Sequence, residues 1–498
     1  MDSAIEQLHA FFSPRSVAIV GATKKINKAG HVIFKNFVEN KRRGTFKGTI
    51  FAVNPYEKSV LGVTSYPRVT DIPEEVELVV IVVPANVVPN VMQDAATKKV
   101  KDIAIISSGF GEIGNHELEN QVVEIAKKAC MRVLGPNCLG VYDSRTGVDM
   151  LFLPETKVLT TGDEVIATPR PMPGSIAIVT QSGAFGVSAL DYLAGREIGV
   201  SKFVSFGNKC DVTETEMLHY LLYDRETRAI LLYTEGIKSG REFLKVAKQV
   251  TKKKPIVALK AGRTEAGARA AASHTGAIAG SDQIYDAVFE QTGIIRAQDM
   301  DEFFHAGKAL AMQPPAAGKN VGIVTDAGGP GIMAVDESEL KGLSVKRFSD
   351  RTIRKFEKLK QEEKLPKFAT NLNPVDITGS GTSEMFELTT DIVFQDPEIN
   401  GVILLGLHHM PALQEDFIDR VAKVACKYDK PMVACDIGET EMAMRIRSRF
   451  DKLEIPAYSS PEDAARAMSA LARYGSYLEK NHCLKEYMEN FLKHKRLH

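Results

Sequence analysis

No excess of charge marks this chain: 63 lysines and arginines face 63 aspartates and glutamates across 498 residues. A balanced chain offers no electrostatic ground for nucleic acid or an anionic membrane as partner. Long apolar runs are missing as well. No stretch approaches the ~18 residues that span a bilayer, and the opening MDSAIEQLHAFFSPRS lacks the basic start and apolar run of a signal peptide. Cysteine is sparse. Cys130, Cys138, Cys210, Cys426, Cys435 and Cys483 form no CxxC pair and no metal-type spacing. That excludes a disulfide framework and suits a reducing compartment. The expectation is a cytoplasmic protein with no membrane, nucleic-acid or metal partner.

What is present is a series of short, continuous runs rich in Val and Ile. Such runs suit strands buried on both faces, as in parallel sheets covered by helices. The first group is SVAIVG (16–21), TIFAVN (49–54), LVVIVV (78–83), DIAIIS (102–107) and MRVLGPN (131–137), with helical patterns between. This βαβ series predicts a Rossmann-like doubly wound sheet over residues 1–150. A Pro- and Thr-dotted passage ends at Gly174, and then come SIAIVT (175–180), KFVSFG (202–207), AILLYTEG (229–236) and PIVALKAG (255–262). After MQPPAAGK the third group is VGIVTDA (321–327), GVILLG (401–406) and PMVACDI (431–437). Both later groups predict flavodoxin-like α/β units, over 151–312 and 313–476. The tail over 477–498 reads as a helix, with Leu484, Tyr487, Met488, Phe491 and Leu492 on one face.

Several strand ends carry small-residue turns of the kind that binds ligands in open α/β sheets. The first is VGATKKINKAGHV (20–32), where Gly21, Thr23 and Lys28 precede a helix start, a natural phosphate receiver. The dinucleotide fingerprint GxGxxG is absent, and no acid closes the second strand, which runs into Asn54-Pro55-Tyr56-Glu57-Lys58. Lys58 better suits a phosphorylated ribose than a free 2′-hydroxyl. A plain βα turn with solvated lysines accounts for these residues equally well. Ser107-Ser108-Gly109-Phe110-Gly111-Glu112 and Gly135-Pro136-Asn137-Cys138-Leu139-Gly140 follow two further strands, and each alone could be a structural turn. Cys138 has no basic neighbour in sequence, so a buried or ligand-contacting thiol fits better than a nucleophile.

Thr180-Gln181-Ser182-Gly183 opens a helix without matching the GxSxG elbow, which excludes a hydrolase serine. Asp326-Ala327-Gly328-Gly329-Pro330-Gly331 opens a third unit in the same manner, with glycines that let an anion approach the backbone. Between them lies GRTEAGARAAASHTGAIAGSD (262–282), with almost no bulky apolar side chain to anchor it. His274 sits in its middle beside Ser273 and Thr275. A lone histidine is more often structural than catalytic, yet a histidine on a mobile, small-residue loop is what a phosphoryl shuttle needs, and imidazole is a good nucleophile at neutral pH. Glu235 could hold its other ring nitrogen; a solvated strand end fits Glu235 slightly better. His408-His409 follows another strand end without further ligands at metal spacing, and reads as structural or site-lining.

GPNCLG, TQSGAFG and SHTGAIAG, in this order, resemble the α subunit of succinyl-CoA synthetase over residues 1–310. TDAGGPGIMAVD and NPVDITG (373–379) resemble the carboxyl-terminal domain of that enzyme's β subunit. The fused order is that of the α subunits of ADP-forming acetate–CoA ligases, a type of NDP-forming acyl-CoA synthetase. The resemblance implies that His274 is phosphorylated and that Glu235 orients it. It implies a phosphate site at Ser182, Gly183, Ser273, Gly328, Gly329 and Gly331, the helix starts forming a cradle if they converge. It implies coenzyme A contacts at Gly21, Thr23, Lys28, Asn54, Lys58, Ser107, Ser108, Gly109, Asn137 and Cys138. No stretch resembles an ATP-grasp domain. The implied partner is therefore an ATP-grasp β subunit that binds ADP or ATP with Mg2+, in an α2β2 heterotetramer acting on a small carboxylic acid and its acyl-CoA. Two other readings are a non-catalytic CoA-binding regulator, opposed by the intact His274 and Glu235, and an NAD(P)-dependent oxidoreductase, opposed by the missing fingerprint.

Overall fold

The computed structural model describes residues 6–275 and 281–495, with side chains described through Ala270 and again from Ser281 to Lys493. The chain divides into two compact units. One comprises residues 1–250 and 258–292, the other residues 251–257 and 293–498.

The first unit holds two sheets. Across the first sheet the order is Ser59–Val60, Val63–Tyr66, Thr49–Val53, Ser16–Val20, Leu78–Ile81, Asp102–Ile105, Arg132–Leu134. Apart from the small antiparallel hairpin Ser59–Val60/Val63–Tyr66, the pairings are parallel. Ser16–Val20, Leu78–Ile81 and Asp102–Ile105 are buried along their whole length. Strands covered on both faces are mostly apolar, and this is why Val and Ile runs are their sequence signature. Helix Ala29–Arg42 covers one face with Gly30, Ile33, Phe34, Phe37 and Val38, spaced for one helical side.

Gly135-Pro136, a cis peptide, follows the last of these strands. The chain then enters a second sheet through Gly140–Asp143, which pairs antiparallel with Val200–Ser205. From that edge the order within this unit is Val148–Asp149, Gly140–Asp143, Val200–Ser205, Pro173–Thr180, Ala229–Thr234. A two-stranded excursion, Thr156–Val158 with Glu164–Ile166, fills the Pro- and Thr-dotted passage and is exposed along both strands.

The loop 207–212 runs along the end of the first sheet. Asn208 N–H donates to Pro136 O (2.9 Å), Cys210 N–H to Gly135 O (3.0 Å) and Val212 N–H to Val133 O (3.0 Å). Arg132 adds ion pairs to Asp211 (3.0 Å) and Glu216 (2.5 Å). The two sheets of this unit are therefore stitched by backbone hydrogen bonds.

The second unit is built on a five-stranded parallel sheet in the order Val375–Asp376, Val321–Thr325, Gly401–Leu405, Met432–Cys435, Ala457–Tyr458. Its core gathers Val324, Phe356, Phe386, Leu404, Phe417 and Ile446. Helix Pro461–Lys480 ends at Asn481, and a further helix, Leu484–Lys495, turns back so that Tyr487 meets Tyr474 edge-on at 5.3 Å between ring centroids.

One glycine tests the packing of the first sheet. A Cβ on Gly30 would overlap the carbonyl oxygen of Gly21, which is backbone and cannot swing aside. Gly30→Ala should therefore cost about 1–3 kcal/mol, the usual scale of overpacking, and appear as a lower melting temperature. Lys35→Ala, on the exposed side of the same helix, should leave the melting temperature unchanged.

Candidate functional site

The first cluster lies at the carboxyl ends of the first sheet. The strand Ser16–Val20 ends at Gly21, whose φ of +97° suits glycine. Asn54 donates from Nδ2 to Ala22 O (2.8 Å), tying the end of the second strand to the first turn. His31 Nδ1 stands 2.8 Å from Thr23 O. Glu57 reaches back to the same turn. Its carboxylate accepts from Thr23 Oγ1 and Lys24 N–H, each at 3.4 Å, and meets Lys24 Nζ at 3.6 Å. No acid closes the second strand itself, but this one, four residues beyond Val53, occupies the first turn. Lys28 and Lys58 are both exposed.

Ser107 is committed to backbone: its hydroxyl donates to Val83 O (2.5 Å) and accepts from Val83 N–H (3.1 Å). Ser108 is exposed. Gly109 N–H donates to Glu112 Oε1 at 2.5 Å, and backbone and Asn208 donors hold the Glu112 carboxyl below the usual range against the opposing effect of burial. Asn137, at φ +57°, donates its N–H to Ser107 O (2.9 Å). Cys138 Sγ points at Ile105 O (3.3 Å), and burial pushes its thiol up to about 12. The structure thus joins Gly21, Thr23 and Asn54 in one hydrogen-bonded corner, and Ser107, Asn137 and Cys138 in another.

The second cluster opens helix Gly183–Gly195. Ser182 caps it, Oγ accepting from Phe185 N–H (3.3 Å), and Thr180 Oγ1 donates to Ser182 O (2.9 Å). Phe185 stacks on Tyr233 at 4.2 Å. Burial, and next the negative charge of Glu235, raise the Tyr233 hydroxyl to about 12. Gln181 and Lys209, which pattern reading passed over, brace the turn that carries Glu235. Gln181 Oε1 accepts from the N–H groups of Glu235 (3.0 Å) and Gly236 (3.3 Å) and from Lys209 Nζ (3.3 Å). Only the run TQSGAFG hinted at Gln181; nothing local pointed to Lys209.

The segment expected to be a loop around His274 is helical over Glu265–Thr275. Thr264 Oγ1 accepts from Gly267 N–H (3.1 Å) at its start, and alanine, the strongest helix former, supplies its interior. A lack of bulky apolar residues was misread as a lack of regular structure. The side chains of Ser273 and His274 lie outside the described residues.

The second unit repeats the helix start. Thr325 Oγ1 donates to Ala327 O (2.9 Å), the counterpart of the Thr180 bond, and helix Gly328–Leu340 follows with Gly328 and Gly329 exposed. Gly331 packs on Thr325, whose methyl lies 3.0 Å from where a Cβ would stand. Behind this start Asp326 accepts from Leu407 N–H, and burial raises its carboxyl to about 7. His408 Nδ1 pairs with Asp436 at 2.8 Å, and the His409 ring lies tilted against His408 at 3.9 Å between centroids. Among the described residues no group of three or more His, Cys, Asp or Glu side chains could hold a metal ion.

Three family models match in series: a CoA binding domain over residues 15–144, a succinyl-CoA ligase like flavodoxin domain over 173–310 and a ligase-CoA domain over 321–476. The alpha subunit of acetate–CoA ligase [ADP-forming] I from Pyrococcus furiosus is 38% identical over 95% of this chain and 99% of its own length. The chain belongs to the ADP-forming acetate–CoA ligase alpha-subunit family. A family relative from Methanocaldococcus jannaschii, acetate–CoA ligase [ADP-forming], is 37% identical over 96% of this chain, which spans 64% of that longer protein. The solved structure of Ca. Korarchaeum cryptofilum dinucleotide forming acetyl-coenzyme A synthetase 1, in complex with phosphate and ADP, superposes with a TM-score of 0.85. It is 34% identical and covers 95% of this chain and 98% of that one. Membership in the ADP-forming acetate–CoA ligase family supports an acyl-CoA ligase over a non-catalytic CoA-binding relative.

The environment of Cys138 has a direct chemical consequence. A thiol raised to about 12 holds almost no thiolate at pH 8. Iodoacetamide at pH 8 should label the exposed Cys130 and Cys426 and leave Cys138 unmodified, as read by peptide mass spectrometry.

Proposed function

We propose that this chain binds CoA in the first-sheet cluster and carries the phosphoryl group on His274 in the reaction acyl-CoA + ADP + phosphate ⇌ carboxylic acid + CoA + ATP. The observation that carries the reading is the repeated helix start. Gly183–Gly195 and Gly328–Leu340 begin with the same threonine brace, and each presents unpaired N–H groups and about half a positive charge to an anion. A phosphohistidine carries about two negative charges and is held there without a lysine. Ser182, Gly183, Ser273, Gly328, Gly329 and Gly331 are the phosphate contacts in this reading. Gly21, Thr23, Lys28, Asn54, Lys58, Ser107, Ser108, Gly109, Asn137 and Cys138 are the CoA contacts. Ser107 and Cys138 contribute through the shape of the turns they brace.

The chemistry runs in three steps. An oxygen of inorganic phosphate attacks the acyl carbonyl, the C–S bond breaks, and CoA leaves as a thiol after protonation. An imidazole nitrogen of His274, steadied by Glu235, attacks phosphorus, and the P–O bond to the carboxylate breaks. The terminal phosphate oxygen of ADP then takes the phosphoryl group and the N–P bond breaks. Each step is reversible.

The proposed partner is a separate ATP-grasp β subunit that binds ADP with Mg2+, in an α2β2 assembly. Two facts support a partner: the chain matches named alpha subunits along their length, and it spans 64% of the single-chain relative. The reading places the reaction in the cytoplasm, where ADP and CoA are available. No helix among the described residues is long and apolar enough to cross a membrane.

Two outcomes check this. The purified chain alone should form no ATP from acyl-CoA, ADP and phosphate, and adding the partner subunit should restore synthesis in a coupled assay. With radiolabelled ATP, the complex should acquire an acid-labile, base-stable label on this chain. His274→Asn should abolish that label while CoA binding by calorimetry stays intact; a label that persists would assign the carrier to another residue.

A further inference from the structure

Lys209 is buried, 3% exposed, next to the Glu235 turn, and the reaction proposed above gives it no task. Its backbone has a φ of +55°, a conformation lysine rarely adopts. Its ammonium has three N–H groups, and three acceptors surround it: Glu214 Oε2 at 3.0 Å, Gln181 Oε1 at 3.3 Å and Gly236 O at 2.5 Å. Glu214 is itself 2% exposed, so a charge pair is enclosed together with its hydrogen bonds. Replacing such a pair by apolar groups is often neutral for stability, so stability does not explain its presence.

Its placement does. Gln181 and Gly236 belong to the helix start at Ser182 and to the Glu235 turn, and Lys238 Nζ returns to Lys209 O at 2.6 Å. On the other side, residues 207–212 are hydrogen-bonded along residues 133–137 of the first sheet. Asn208 donates to Glu112 (2.6 Å) and Glu119 (2.8 Å) beside Gly109. One six-residue loop therefore holds the proposed CoA turns through its backbone and the Glu235 turn through one ammonium.

We propose that Lys209, with Glu214 and Gln181, is a positioning residue. It sets the Glu235 carboxylate in register with the proposed CoA turns, so that His274 meets phosphorus at reacting distance. The proposal rests on the reading of Glu235 given above. Misplacement of about 1 Å can cost about 100-fold in rate.

The test uses the complex with its partner subunit. Lys209→Met alone leaves Glu214 as an uncompensated buried charge and can fail to fold. Lys209→Met combined with Glu214→Met removes both charges at similar volume. For the double variant the expected result is an unchanged melting temperature, CoA affinity within about twofold by calorimetry and an unchanged KM for acyl-CoA. Its kcat and the single-turnover labelling of His274 should fall about 10- to 100-fold. Adding Glu235→Gln to it should reduce the rate no further than Glu235→Gln does alone, because both act through one carboxylate. A folded double variant with wild-type kcat, beside an impaired Glu235→Gln, overturns this proposal alone. Losses that multiply in the combined variant also overturn it, since they assign Lys209 a separate structural role. Wild-type activity in Glu235→Gln overturns the reading of Glu235 itself, and this proposal with it.

Discussion

Everything in this chain follows from the burial of parallel strands on both faces. A strand covered by helices on either side has no solvent face, so it is mostly apolar and offers few functional side chains along its length. Function is displaced to the strand ends. There the chain must leave the sheet, turn and begin a helix, and the helix start leaves N–H groups with no partner inside the helix. Gly21, Ser107, Asn137, Ser182, Glu235 and Gly328 all sit at or just beyond such ends.

The two threonine braces show how a turn of small residues is kept in place. Thr180 and Thr325 each close the last strand position by donating to a carbonyl two residues on. Neither brace uses a charge, which leaves the helix start free to take one. In the first unit the brace is extended through Gln181 and Lys209; in the second, buried Asp326 stands at the corresponding place and accepts from Leu407. The two units thus reach the same local form with different support.

The fold was legible to the extent that burial writes itself into composition. SVAIV, LVVI and DIAI read as strands because Val, Ile, Leu and Ala dominate them, with only Ser16 and Asp102 polar at their starts, and the structure has them buried along their length. The turns were legible because glycines and threonines cluster at them. The helix over Glu265–Thr275 was not, since it has no bulky apolar stripe and is carried by alanine propensity. Glu57, Lys209 and Glu112 were out of reach for a different reason. Their partners lie 34, 28 and 96 residues away, at Thr23, Gln181 and Asn208, and no local pattern encodes a bond of that span.

The strand Gly140–Asp143 lies at the end of the segment matching a CoA binding domain, yet it is hydrogen-bonded into the second sheet. Lys202 of that sheet is enclosed against Asp143 and Asp224. Cutting after residue 144 would take the strand away with the wrong piece, exposing Val200–Ser205 as a raw edge and stranding a buried ammonium with half its counter-charge. Sequence modules and mechanical modules are out of phase here by one strand. A chimaera that exchanges one of the first two segments for a relative's would have to carry the overlapping strand with the sheet it serves rather than with the sequence it adjoins.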